Sequence, residues 1–79
     1  MKAKEIQFEI IKELGVIKEG KYSKEVNLVS WNEKKPVYDI RKFGIDENGI
    51  KIPLKGVSLS LEEIYILKDI LENMDMEEL

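Results

Sequence analysis

The sequence predicts an α+β domain: a curved four-stranded antiparallel β-sheet followed by one C-terminal α-helix. Three observations carry this reading. Four stretches of strand-like character are separated by turn signals, of which Asn48-Gly49 is the strongest. Ser60 and Glu63 then form an S-x-x-E capping box. Beyond that cap, Ile64, Leu67, Leu71 and Met74 recur at helical spacing.

The first strand is expected over residues 6–17. Ile10, Leu14 and Val16 share one face, and Lys12 interrupts the row. Ile6, Ile10, Ile11 and Leu14 also fit a helical stripe, but Gly15 and the β-branched content favour a strand. "KEGKY" is a turn around Gly20. The second strand covers 22–31. Lys24, Val26, Leu28 and Ser30 point one way, and Ser23, Glu25, Asn27, Val29 and Trp31 the other. Neither face is cleanly apolar, as expected where one face also serves as a working surface. "NEKKP" turns the chain into a third strand at 37–43. There Tyr38, Ile40 and Lys42 oppose Val37, Asp39, Arg41 and Phe43, with Tyr38 and Ile40 taken as core. In "IKIPLKGVSLS", Pro53 cannot donate to a ladder, so this strand is an edge, bulged or kinked. The helix starts at Ser60, with Glu62 and Glu63 at its positive end, and ends near Asn73 or Met74. Residues 75–79 read as a loosely held tail.

With 79 residues, the chain is a single domain over 1–79 with a modest core. It contains neither cysteine nor histidine, so disulfides and the usual zinc ligands are lacking. The remaining common aid is a second copy. The apolar surface of the helix is broader than one sheet contact needs, which makes Ile66, Ile70 and Met74 the expected contacts of a homodimer. No stretch has the length and apolarity of a membrane span, and the start lacks a signal-type apolar run. A cytoplasmic, nucleoid-associated protein is the expectation. Catalysis is disfavoured: no imidazole or thiol is present, and the five glycines form no phosphate loop. "DENG" is too short for a calcium loop. No cofactor is expected.

The net charge of -3 hides an asymmetry. Residues 1–60 carry 12 of the 13 basic side chains against 9 acidic ones, a balance of +3, whereas residues 61–79 carry Lys68 against 7 acids. Within the basic part, "WNEKKPVYDIRKF" (31–43) sets Trp31, Tyr38 and Phe43 among cations. Cations beside aromatic platforms on an extended surface suit single-stranded nucleic acid, which offers phosphates and exposed base faces together. Trp31 and Phe43 are candidates for stacking, with Tyr22 or Tyr38 as further options. Lys24, Lys34, Lys35, Arg41, Lys42 and Lys55 are candidates for backbone contacts. Each has a plainer reading: Trp31 as a core cap at its strand end, Phe43 as core packing, Arg41 as an ion-pair partner of Glu25 or Asp39, and Lys34 and Lys35 as solubilising turn residues.

"KEVNLVSWN", "KPVYDIRKF" and "KGVSLSLEEIYILKDIL", in this order, resemble the transcriptional coactivator family called positive cofactor four, and especially its small bacterial YdbC-like members. The resemblance spans about residues 6–73. It implies four antiparallel strands and a helix, a homodimer formed through the helices, and binding of single-stranded DNA over the sheet with little sequence preference. RNA or partly melted duplex would be a secondary ligand. By the same resemblance, Trp31, Arg41, Phe43 and Lys55 correspond to binding positions of the family, and Lys21, Lys24, Lys34 and Lys35 correspond less closely. The chain departs from the family where many relatives have tryptophan near 43 or 44: it has Phe43 and Gly44. It also has Leu54-Lys55-Gly56 where bacterial relatives often read "GKG". The competing reading is a protein-interaction module of the same fold without useful nucleic-acid affinity.

Overall fold

The computed structural model describes residues 7–75. Strands β1 (Phe8–Lys18), β2 (Ser23–Trp31), β3 (Val37–Ile45) and β4 (Lys51–Leu59) form one antiparallel sheet in the order β1-β2-β3-β4, followed by helix α1 (Leu61–Glu72). This is the expected architecture. The tail expected over 75–79 lies, past Asp75, outside the described residues.

Local chemistry accounts for the connections. Asn32 and Glu33 both have positive φ (50° and 64°), and the Lys34 amide donates to the Trp31 carbonyl at 2.9 Å. This is a tight turn with both central residues left-handed at the end of β2, from which residues 34–36 lead into β3. In the next turn, Asp46 Oδ1 accepts from the amides of Asn48 and Ile50, and Gly49 takes a φ of 79° that suits a residue without a Cβ. Ser60 is the N-cap of α1: its side chain accepts from the Glu63 amide, and Glu63 accepts from the Ser60 amide. The helix closes at Asn73, its C-cap.

The sheet is strongly curled. Trp31 and Phe43 lie on one face, and Phe43 pairs with Ser23, eight residues from Trp31 along β2. A flat sheet would hold them roughly 26 Å apart at about 3.3 Å per residue. Yet the Phe8 ring centroid lies 5.7 Å from that of Trp31 and 6.0 Å from that of Phe43. Bulges concentrate this bending: three interrupt the β1–β2 register and one falls between Arg41 and Phe43 in the β3–β4 register. The curled face encloses Phe43, Val29, Asn27 and Asp39, all at most 1% exposed. Helix α1 crosses the other face, where Ile64, Leu67 and Leu71 stand over Val26 and Ile40 around a groove of about 640 Å³. No residue of the helix is buried.

The β4 bulge depends on Gly56. A Cβ there would sit 2.6 Å from both Arg41 Cβ and the Ile40 carbonyl oxygen, too close for either to accommodate. Gly56→Ala is therefore expected to destabilise the fold by about 1–3 kcal/mol, the usual cost of overpacking, seen as a lowered thermal midpoint with an otherwise native far-UV spectrum. An unchanged midpoint would show that the bulge relaxes freely.

Candidate nucleic-acid interface

The face opposite the helix carries an open hollow of about 280 Å³ lined by Trp31, Arg41, Pro53, Leu54 and Ser58. Its floor is set by a buried carboxylate. Asp39 is 0% exposed and accepts from Arg41 Nε at 3.0 Å, Arg41 Nη2 at 3.0 Å and Ser58 Oγ at 3.0 Å. Arg41 Nη1 donates to the Leu54 carbonyl at 2.7 Å, which ties β3 to the bulged part of β4. The guanidinium then lies over the Trp31 ring, 4.7 Å from its centroid. Trp31 is half-buried, and its Nε1 is buried without an acceptor among the described residues. What the hollow presents is therefore a guanidinium–indole pair rather than a bare indole.

A second polar group lies further along the same face. Glu25, 8% exposed, accepts from Lys51 Nζ at 2.7 Å, Ser23 Oγ at 2.6 Å and Asn27 Nδ2 at 3.4 Å. Burial acts to raise the Glu25 pKa, but the hydrogen bonds from Lys51, Ser23 and Asn27 and the charge of Lys51 outweigh it, and the net shift is downward from 4.5. Lys51 also stands over the Phe43 ring at 4.6 Å.

The structure sorts the sequence-level candidates. Trp31 and Arg41 meet at the hollow. Arg41 pairs with Asp39, one of the two ion-pair partners the sequence offered it, so most of its donors brace the strands. Lys34 and Lys35 are exposed in the turn next to Trp31; Ser30 Oγ donates to the Lys34 carbonyl and holds that turn. Lys55 is exposed in the β4 bulge beside Leu54. Two candidates do not join them. Phe43 is 1% exposed, with Phe8 and Lys51 against it, and offers no face to a base; the curl of the sheet, invisible in strand alternation, puts it in the core. Lys24 pairs with Lys42 on the helix-bearing face, so it cannot share a surface with Trp31. Phe8, Pro53, Leu54 and Ser58 were not among the sequence candidates. The Asp39–Ser58 pairing follows from strand register, but only once the bulge is placed.

The depressed Glu25 pKa has a sign. Its stabilising contribution is complete above the unfolded-state value and is lost as pH falls through the lower folded-state value. Between about pH 5 and about pH 3, wild type is expected to lose more stability toward urea than Glu25→Gln. Parallel losses in the two proteins would show that the Lys51–Glu25 contact carries no pH-dependent stability.

Comparison with known proteins agrees with this architecture. Residues 18–70 match the family model described as Transcriptional Coactivator p15 (PC4). An uncharacterized protein of Treponema pallidum (strain Nichols) is 36% identical over 56 residues, covering 71% of this chain and 62% of the relative. The chain thus spans less than two thirds of that relative's length. The match to the family model runs from the end of β1 almost to the end of α1, through every residue that lines the hollow, and the chain belongs to the transcriptional coactivator p15 (PC4) family.

Proposed function

We propose that the chain binds single-stranded DNA with little sequence preference, in transcription, replication or repair, with RNA as a secondary ligand. The observation that carries this reading is the hollow itself, where an indole and a guanidinium lie together on an open sheet face; Lys34 and Lys35 are exposed in the turn that follows Trp31, and Lys55 is exposed next to Leu54 in the chain. A base packs against the Trp31–Arg41 pair and adjacent phosphates meet the lysines. The buried Trp31 N–H, lacking an acceptor, is poised to donate to a ligand oxygen after a small shift of the ring. Nothing in the hollow matches the paired donor and acceptor pattern of one base, which accords with weak sequence preference. Family membership supports a binding role rather than catalysis.

The protein acts as a homodimer in this proposal. No residue of the helix is buried, which leaves its outer side free to meet a second copy. Exposed apolar side chains occur on the helix, where Ile66 and Ile70 are 56% and 52% exposed, and just past it at Met74, 39% exposed. None of the acidic side chains of the helix, Glu62, Glu63, Asp69 and Glu72, lines the Trp31 hollow.

The single tryptophan makes the site directly observable. Titration with an unlabelled thymine oligonucleotide is expected to quench Trp31 fluorescence saturably at low salt and less at high salt. Trp31→Ala is expected to lose about 1–3 kcal/mol of affinity, roughly 5- to 150-fold, by anisotropy with a labelled strand. Arg41 is a poorer probe, because breaking a buried pair costs about 3–5 kcal/mol of stability in its own right. No binding in either readout would overturn the nucleic-acid reading and leave a protein-interaction module of the same fold.

For the assembly, light scattering should give a dimer mass for wild type at micromolar concentration and a monomer mass for Ile66→Glu with Ile70→Glu. A wild-type monomer would overturn the dimer.

A further inference from the structure

A second cluster of cations lies apart from the hollow, on the other face of the sheet. Strand register places Lys18 opposite Lys24, and Lys24 opposite Lys42. Three neighbouring strands therefore set a lysine in one transverse row. Residues directly opposite in an antiparallel pair have Cβ atoms roughly 5 Å apart, and like charges there are destabilising. Among the described residues, none of Lys18, Lys21, Lys24 and Lys42 pairs with a carboxylate; the two ion pairs are those of Arg41 and Lys51. Among the described residues, folding gives this row no ion pair to offset its repulsion.

The row is held by an aromatic ring. Tyr22 has Lys42 Nζ 4.6 Å and Lys21 Nζ 5.8 Å from its ring centroid. The ring packs on Gly44, where an added Cβ would lie 3.3 Å from Tyr22 Cδ1 and Cε1. Lys21, Tyr22 and Lys42, together with Lys18, Glu19, Gly20 and Lys24, line an open hollow of about 380 Å³. Two ammonium groups gathered over one ring, beside two more, form a pre-arranged site for several negative charges at once.

We infer that the Lys18–Lys24–Lys42 row, with Lys21 and Tyr22, is a phosphate-binding site on the helix-bearing face, separate from the Trp31 hollow, that takes consecutive phosphates of a polyanionic chain. The phosphates of a nucleic-acid strand and those of a free oligophosphate share this chemistry. A bound strand that reached both sites would pass around the sheet rather than lie across one face. The row itself does not rest on the Trp31 reading.

The test uses the full chain and the double variant Lys24→Gln with Lys42→Gln. Inorganic tripolyphosphate is expected to shift the side-chain NMR resonances of Lys18, Lys24 and Lys42 saturably in wild type, with the response at Lys18 lost in the variant. The variant's thermal midpoint without ligand should stay close to that of wild type, because the relieved repulsion offsets the lost Lys42–Tyr22 contact. With a thymine 20-mer, the slope of log affinity against log salt is expected to become shallower by about 1.4, for two contacts at about 0.7 each. That result assigns the row to the strand. Tripolyphosphate binding with an unchanged slope supports the site and assigns it to free oligophosphate. Unchanged lysine resonances together with an unchanged slope would overturn the site, as would a variant midpoint well below wild type, which would show the lysines to be stabilising by themselves. Lysine shifts with tripolyphosphate but no binding of the thymine strand, by Trp31 quenching or by anisotropy, would sink the nucleic-acid reading and leave the row standing.

Discussion

The buried carboxylate of Asp39 is the constraint around which the working face is built. A charge removed from water is tolerated only when it is paired and hydrogen-bonded. Here the pairing is supplied by Arg41, the next residue on the same strand face, and by Ser58 across the β3–β4 ladder. Once fixed, the guanidinium holds the Leu54 carbonyl and covers the Trp31 ring. One ion pair thus joins three strands at the point where β4 bulges. The site is rigid because the same contacts that neutralise Asp39 also position the groups a ligand meets. This is a general economy of small domains, whose cores are too small to keep structural and functional polar groups apart.

The sheet divides its two faces by chemistry as well as by position. The curled face packs polar networks around Phe43 and Val29. The helix-bearing face is apolar in its middle, at Val26 and Ile40, and cationic at the β1–β2 end. Positive charge therefore occurs on both faces, while negative charge gathers on the helix. The net charge of the chain describes neither.

Most of the architecture was legible in the sequence because it rests on local chemistry. The Ser60–Glu63 box, the Asn48-Gly49 turn and the effect of Pro53 on its strand each act within a few residues. The parity of β2 and β3 was also legible, and it already separated Lys24 from Trp31; grouping them on one surface followed composition where alternation pointed elsewhere. Phe43 was hidden for a different reason. Alternation tells which face a side chain occupies but not how far that face folds over on itself, and the curl depends on bulges spread over four strands. Arg41 was open between Glu25, its cross-strand neighbour, and Asp39, its same-strand neighbour. Lys51 settles the matter by taking Glu25.

Strand β4 ends at Leu59 and helix α1 begins at Leu61, with the capped Ser60 alone between them. A joint of one residue, with its amide and hydroxyl both engaged, has no slack. The helix is in effect a lever welded to the end of the strand that carries Ser58 and the bulge. The direction in which the helix leaves the strand is therefore set by the backbone of Ser60, at φ -73° and ψ 168°, and by the two hydrogen bonds of its cap. The residue that ends one layer of the molecule is thus also the residue that starts the other.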